Sequence, residues 1–122
     1  MRQLVFAILF TIFSVPSGHA EIFLDEFQDL LKKAETDDKS RASAAFYLQG
    51  LSDAMQAMNV FIKEDLGSRV YCPPPDLKLD VNKFYNIFVG ELENPLEGNE
   101  YKLEHPISII AVFSMRHAYP CQ

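Results

Sequence analysis

The chain has 122 residues, 17 of them acidic and 11 basic, so its formal net charge is −6 and its pI is about 4.9. This acidity argues against nucleic acid as a partner, because nucleic-acid-binding domains carry clustered positive charge. The first twenty residues contain Arg2 and no acid, so residues 21–122 hold ten basic and all seventeen acidic residues, a net charge of −7. About a hundred residues bury one hydrophobic core, which excludes a multi-domain enzyme.

The first twenty residues have the order of a secretory signal peptide. Arg2 is followed by an apolar run over 4–15 and by small residues up to Ala20, before the acidic Glu21. The run is shorter than the roughly twenty residues that span a bilayer, and a retained anchor is the alternative. We therefore predict a signal peptide over 1–20, cleavage after Ala20, and a mature domain over 21–122 in the periplasm, without membrane attachment.

Cys72 and Cys121 are the only cysteines. An even count in a small exported chain indicates one disulfide, which here closes a loop of about fifty residues and is worth roughly 4 kcal/mol. The alternative is a catalytic thiol on Cys72, activated by His105 or His117 with Asp53. The Cys and His residues form no close ligand pair, so neither a metal nor another cofactor is predicted.

Four segments have apolar residues every three or four positions, which predicts an all-α fold, a small bundle of about four helices with one disulfide. The third and fourth segments are also rich in β-formers, so strands are their alternative. Asp37 or Asp38 and Asp80 are candidate N-caps, and Gly67 ends the second segment. Pro106 fits the first helical position of the last segment. The four segments are 22–34, 41–65, 81–92 and 106–118.

The second predicted helix is unusually poor in charge. Between residues 42 and 62 the only charged residue is Asp53, so we expect a central helix with neighbours on several sides. Gly50 costs roughly 1 kcal/mol relative to Ala in mid-helix, which a close helix crossing would explain. We expect Asp53 to be a buried polar anchor, the alternatives being a functional acid or plain exposure. Met55 and Met58 offer a surface for a second copy.

Short motifs of aromatic residues, glycine, proline and cysteine occur in one order between residues 42 and 122. They are Tyr47, Gly50 and Asp53, then Tyr71, Cys72, Pro73 and Pro74, then Tyr119, Pro120 and Cys121. In this combination the chain resembles the Rap/Tai family of periplasmic immunity proteins associated with type VI secretion. Residues 77–82 and 91–95 depart from the family's pattern and leave the cysteine motifs intact.

The resemblance implies a small all-helical domain of about four helices with a disulfide, often a homodimer. It also implies neutralisation of a peptidoglycan amidase effector by binding over the catalytic site of that enzyme. Inhibition of this kind needs no catalysis, only a surface that excludes the substrate, and negative charge speeds encounter with a basic effector. In the connector after the third helix we expect that partner to contact Leu96, Glu97, Glu100 and Tyr101, a plain solvated loop being the alternative.

Two other function classes stay open on the sequence alone. A small periplasmic acid-stress chaperone would share the size, export, helices and disulfide, and would expose apolar surface when its acids protonate at about pH 2 to 4. A hydrolase using Asp53 with a histidine is the other class. No pair of carboxylates lies in an apolar pattern that would raise a carboxyl pKa, so we expect a protein that is not an enzyme.

Overall fold

A computed structural model describes residues 21–98 and 100–122. The described chain forms four α-helices, which are α1 (Leu24–Ala34), α2 (Asp38–Leu66), α3 (Val81–Glu93) and α4 (Ile107–Ala118). The predicted all-α bundle is confirmed. The strand alternative is wrong, because the only β-type pairing in the described residues is one isolated bridge between Phe23 and Pro106. The predicted signal peptide over 1–20 lies outside the described residues.

The helix ends follow the capping residues of the sequence. The Asp37 carboxylate accepts a 2.7 Å hydrogen bond from the Ser40 amide, and Asp80 accepts one of 2.8 Å from the Lys83 amide. Hydrogen bonds from the side chain and the backbone of Ser40 hold the pKa of Asp37 below its usual value. Gly67 ends α2 with a φ of 67°, a left-handed conformation that glycine adopts without strain. Local sequence therefore sets the bounds of α2.

The hydrophobic core lies on one side of α2, where the other three helices pack against it. At its centre the rings of Phe27 and Phe88 meet edge to face with centroids 5.5 Å apart, and Phe84 lies 6.4 Å from Phe88. Edge-to-face pairs add to the free energy of area burial, because the ring edge and the ring face carry opposite partial charge. The fully buried apolar residues of α4 are Ile107, Ile110, Ala111 and Met115.

One buried amide fastens the connector after α2 to that helix. Asn59 Oδ1 accepts hydrogen bonds from the backbone amides of Val70 and Tyr71 at 2.9 and 3.2 Å. Its Nδ2 donates to the Tyr71 carbonyl at 3.0 Å. A single side chain thus satisfies three backbone groups, and it holds the connector immediately before the first cysteine.

The predicted disulfide is present. Cys72 is joined to Cys121 across 49 positions, and the Cys72 amide also donates to the Tyr119 carbonyl at 2.8 Å. The end of α4 is therefore pinned to the proline-rich connector by a covalent bond and a backbone hydrogen bond. Cys72 is therefore not a free thiol in the structure, unlike the thiol that the catalytic alternative needs.

All three other helices contact α2, as expected for a central helix, but one side of α2 is exposed. Its exposed side carries Gly50, where an added Cβ would meet no atom within 4 Å, so none of the four described helices crosses closely at this glycine. Asp53 is exposed instead of buried, and its Oδ1 accepts a 2.8 Å hydrogen bond from Gln49 Nε2. Met55 is buried in the core and Met58 packs against it, so they do not form a surface for a second copy. A charge-poor pattern shows which residues are apolar but not what covers them.

Candidate partner-binding surface

The connector between α3 and α4 has a strongly acidic surface. We call residues 94–106 the acidic loop; all but residue 99 are described. Its charged residues are all exposed, namely Glu97, Glu100, Lys102 and Glu104. The loop also exposes two large apolar side chains, Leu96 at 45% and Leu103 at 56%. Acidic and apolar groups are therefore presented together, the combination that suits contact with a basic protein surface.

The far end of the acidic loop is held by the first turn of α1. The Leu24 amide donates to the His105 carbonyl at 3.0 Å, and the Asp25 amide donates to the Leu103 carbonyl at 3.2 Å. The first amides of a helix have no partner within it, so these loop carbonyls supply what α1 lacks. The loop is consequently tied to an element about eighty positions earlier in the chain.

A buried carboxylate holds the middle of the acidic loop. Glu91, 3% exposed in the last turn of α3, accepts a 2.6 Å hydrogen bond from the Tyr101 hydroxyl. Its other oxygen is bonded to Nδ1 of His117 in the last turn of α4. The ring of Tyr101 also meets that of His105 edge to face, at 6.4 Å between centroids. Two helices and the loop therefore meet at one carboxylate, with both of its oxygens occupied.

An open hollow of about 310 Å³ lies where the acidic loop meets α4. Gly98 lies in a turn of the acidic loop at the edge of this hollow. Its φ of 91° is a conformation that glycine adopts readily. Ile109 is half exposed on the α4 side of this hollow. The side chains that line it are those of Glu100, Tyr101, His105, Ile109 and Phe113, together with Gly98. A partner's apolar side chain has room here beside the carboxylate of Glu100.

The four residues expected to contact a partner divide into two groups. Leu96, Glu97 and Glu100 are exposed and free to meet another protein. Tyr101 is half-buried, and its hydroxyl is bonded to Glu91, so its observed role is to hold the loop. Contact between these residues and a partner stays a prediction.

The residues that carry the family resemblance lie in several environments. Tyr47 packs on Phe27 with ring centroids 6.0 Å apart, and burial, with a smaller contribution from Glu21, raises the pKa of its hydroxyl. Tyr71 is buried, which raises its pKa as well. Pro73 is half-buried within the connector, and Pro120 is exposed next to Cys121 of the disulfide. Cys72 and Cys121 form the disulfide.

No group of three or more His, Cys, Asp or Glu side chains in residues 21–98 and 100–122 is placed to hold a metal ion. His117 is bonded to Glu91, and Asp53 is bonded to Gln49. In the same part of the chain no helix combines the length and apolar character needed to cross a membrane.

Comparison of the chain with protein-family models, curated proteins and solved structures gives no match.

Two buried polar residues that hold connectors in place, Glu91 and Asn59, escaped sequence reasoning. Glu91 follows apolar residues in a helix that also contains the exposed Glu93, and no periodic signal separates the two acids. Asn59 lies in the charge-poor helix among residues read as apolar core. Both positions fall on the core face of their helix, at spacings of three and four from buried neighbours. That spacing is the signal that could have identified them.

Proposed function

We propose that this protein is a periplasmic immunity protein of the Rap/Tai kind, which binds a type VI secretion effector and covers its active site. The effector is a basic peptidoglycan amidase in this proposal. The observation that carries it is the acidic loop, which is fixed at Tyr101 and at its far end and presents Leu96, Glu97 and Glu100 to solvent.

Anchoring matters because an inhibitor that is already ordered loses little conformational entropy when it binds. The Glu91 carboxylate and the first turn of α1 hold the loop from two sides. Its exposed part can therefore enter a substrate cleft as a preformed element. The four-helix fold and the Cys72–Cys121 bond are those that the family resemblance implies, and they support the proposal.

Charge supports the same choice of partner. The segment over 21–122 has a net charge of −7, and the acidic loop adds exposed carboxylates at the surface in question. Opposite charge accelerates encounter between two proteins and changes the association rate more than the dissociation rate. A cationic effector that binds the cell wall is the complementary partner.

Coexpression tests the proposal directly. A peptidoglycan amidase encoded beside this protein is exported to the periplasm with and without the full chain, and lysis is followed by optical density. We expect the protein to prevent lysis and to elute with the amidase in gel filtration. Continued lysis together with separate elution would reject the immunity role.

Charge-reversal variants test the assigned surface. Glu97→Lys and Glu100→Lys should each slow association with the amidase by about threefold to tenfold, with a weaker salt dependence. Asp29→Lys changes the net charge equally on the exposed side of α1 and is the matched control. Equal effects of all three variants on the association rate would mean that the net charge of the protein, and not the acidic loop, controls association.

A chaperone of the acid-stress kind is the second candidate, and one observation favours it. Phe46, Val60 and Phe61 expose apolar surface on α2, the kind of surface that binds unfolded clients. Light scattering of an aggregating client enzyme at pH 2 to 3 separates the two functions. We expect no protection, whereas protection at equimolar ratio would favour the chaperone.

A further inference from the structure

A hollow of about 220 Å³ lies where the second half of α2 meets the proline-rich connector. We call it the cationic hollow, because Lys63 and Arg69 both line it and no Asp or Glu in the described part of the chain does so. Residues 21–122 carry a net charge of −7. Two positive charges without a negative one are therefore the reverse of the protein as a whole, and they attract an anion.

Neither cation of the hollow has a partner within the described chain. No ion pair and no hydrogen bond in residues 21–98 and 100–122 engages the side chain of Lys63 or Arg69. Glu64, Asp65 and Asp76 are close in sequence, but all three are exposed and none lines the hollow. The ammonium and the guanidinium are thus free to hold an anion, the guanidinium through two parallel N–H donors.

Tyr71 adds a hydroxyl that also has no partner among the described residues. It lines the cationic hollow and is only 2% exposed. Its hydrogen bonds to Asn59 use the backbone amide and carbonyl and leave the hydroxyl unengaged, although buried tyrosine hydroxyls usually find a partner. Burial raises the pKa of this hydroxyl, so it keeps its proton and can donate.

The walls of the cationic hollow are apolar and held in place. Three prolines over 73–75 have a φ fixed by their rings, and the Leu77 amide donates to the Pro74 carbonyl at 3.1 Å, which closes a turn beside the hollow. Val60 of α2 contributes a side chain that is 59% exposed. Asn59 and the disulfide fasten the connector on either side. An apolar group can therefore pack beside the cations in a preformed site.

We propose that the cationic hollow binds the free C-terminal carboxylate of a peptide whose last residue is apolar. Lys63 and Arg69 hold the carboxylate and the Tyr71 hydroxyl donates to it, while the apolar side chain packs on the prolines and Val60. The hollow is smaller than the roughly 300–1,000 Å³ of drug-sized pockets, so it takes one terminal residue. The nitrogen of that residue is in peptide linkage, because a free ammonium would face two cations and no described acid.

The proposal does not depend on the immunity role. The cationic hollow is lined by residues of α2 and of the connector after it, and it shares no residue with the acidic loop. Loss of one binding activity therefore leaves the other measurable in the same chain.

NMR titration of the isotopically labelled mature chain with N-acetyl-leucine tests the proposal. We expect a Kd of about 1 mM, as suits so small a ligand, and shifts of the amides of Val60, Tyr71 and Leu77. N-acetyl-leucinamide lacks the negative charge and free leucine adds an ammonium, so each should bind at least about tenfold more weakly. Equal affinity for either compound or for inorganic phosphate, or no shift at these three amides, overturns the proposal.

Variants that remove one charge test the assigned residues. Lys63→Gln and Arg69→Gln should each weaken the binding of N-acetyl-leucine about tenfold, and Tyr71→Phe about threefold. Lys83→Gln removes an exposed charge of α3 that does not line the hollow, and it should leave the Kd unchanged. Because neither Lys63 nor Arg69 has a partner in the described chain, their variants should keep the circular dichroism of the parent. If Lys83→Gln weakens binding as much as they do, or if they do not weaken it, the hollow is not the binding site.

Discussion

The hydroxyl of Tyr101 donates a 2.6 Å hydrogen bond to the buried carboxylate of Glu91, and this contact joins the acidic loop to the end of α3. A buried carboxylate is costly unless donors surround it. Here Nδ1 of His117, from α4, is hydrogen-bonded to the second carboxyl oxygen. The carboxyl group that holds the loop is thus inside the protein, whereas the carboxylates proposed to meet a partner are outside.

Removing the Tyr101 hydroxyl should destabilise the protein. We expect Tyr101→Phe to lower the free energy of unfolding by about 1.5–3 kcal/mol, because hydrogen bonds to a buried charged group are worth that much. Urea unfolding measures the change. Tyr85→Phe removes a more exposed hydroxyl from α3 and should cost less than about 0.5 kcal/mol. Equal losses in the two variants would mean that the Glu91 contact contributes nothing particular.

Asn59→Ala should be among the more damaging single substitutions in α2. It leaves the amides of Val70 and Tyr71 and the Tyr71 carbonyl without their partner, at an expected cost of about 2–4 kcal/mol. Thermal or urea unfolding followed by circular dichroism checks this value. Gln49→Ala, which loses one exposed hydrogen bond, is the control. A loss under 1 kcal/mol for Asn59→Ala would show that water replaces the amide.

Reduction of the disulfide should lower the free energy of unfolding by up to about 4 kcal/mol, since the loop it closes spans nearly fifty residues. Urea curves with and without dithiothreitol measure the loss. A Cys72→Ser and Cys121→Ser double variant should match the reduced protein and should not respond to the reductant. A response of the double variant would point to an effect of dithiothreitol elsewhere.

The Asp37 cap should make the stability of the protein depend on pH in the acid range. Its pKa is lowered from 3.8 by the bonds from Ser40, so its contribution is complete above pH 3.8 and disappears as pH falls through the lowered pKa. Asp37→Ala should therefore reduce the urea midpoint at pH 7, and the gap from the parent should close toward pH 2. Asp29→Ala, an exposed acid within α1, should leave the midpoint nearly unchanged at pH 7. A gap that stays constant with pH would exclude the charged cap as its source.

The helices, the caps at Asp37, Asp80 and Gly67, and the disulfide could be predicted from the sequence, because each depends on neighbours in the chain or on the pairing of two cysteines. The placing of Pro106 at the first helical position was wrong, because Pro106 is the N-cap and α4 begins at Ile107. Asp80 begins α3 by accepting a hydrogen bond from a nearby backbone amide, and Gly67 ends α2 through its positive φ. The residue type alone indicates each of these roles. Whether Asp53 is buried or exposed could not be predicted from the sequence, and the expected burial was wrong. A helix that is apolar on every side gives the same pattern whether its own chain or another molecule covers it.

The candidate site was predictable only in its exposed part. Leu96, Glu97 and Glu100 stand out in a polar connector, but the sequence does not tell which acid nearby is buried. The burial of Glu91 depends on Tyr101 and His117 reaching it from ten and twenty-six positions away. Tertiary neighbours of that kind decide which polar residue of a helix lies inside the protein.

The pairing between the start of α1 and the end of the acidic loop bears on the order of folding. Glu21 and Ser108 are bonded although 87 positions separate them, and the Ile107 amide donates to the Ile22 carbonyl. Closing so long a loop costs conformational entropy. Contacts within the intervening chain must form first to offset that cost. The hairpin of α1 and α2 is local and can form early, whereas the junction at the start of α4 completes late. The acidic loop should therefore be among the last parts of the chain to reach its final conformation.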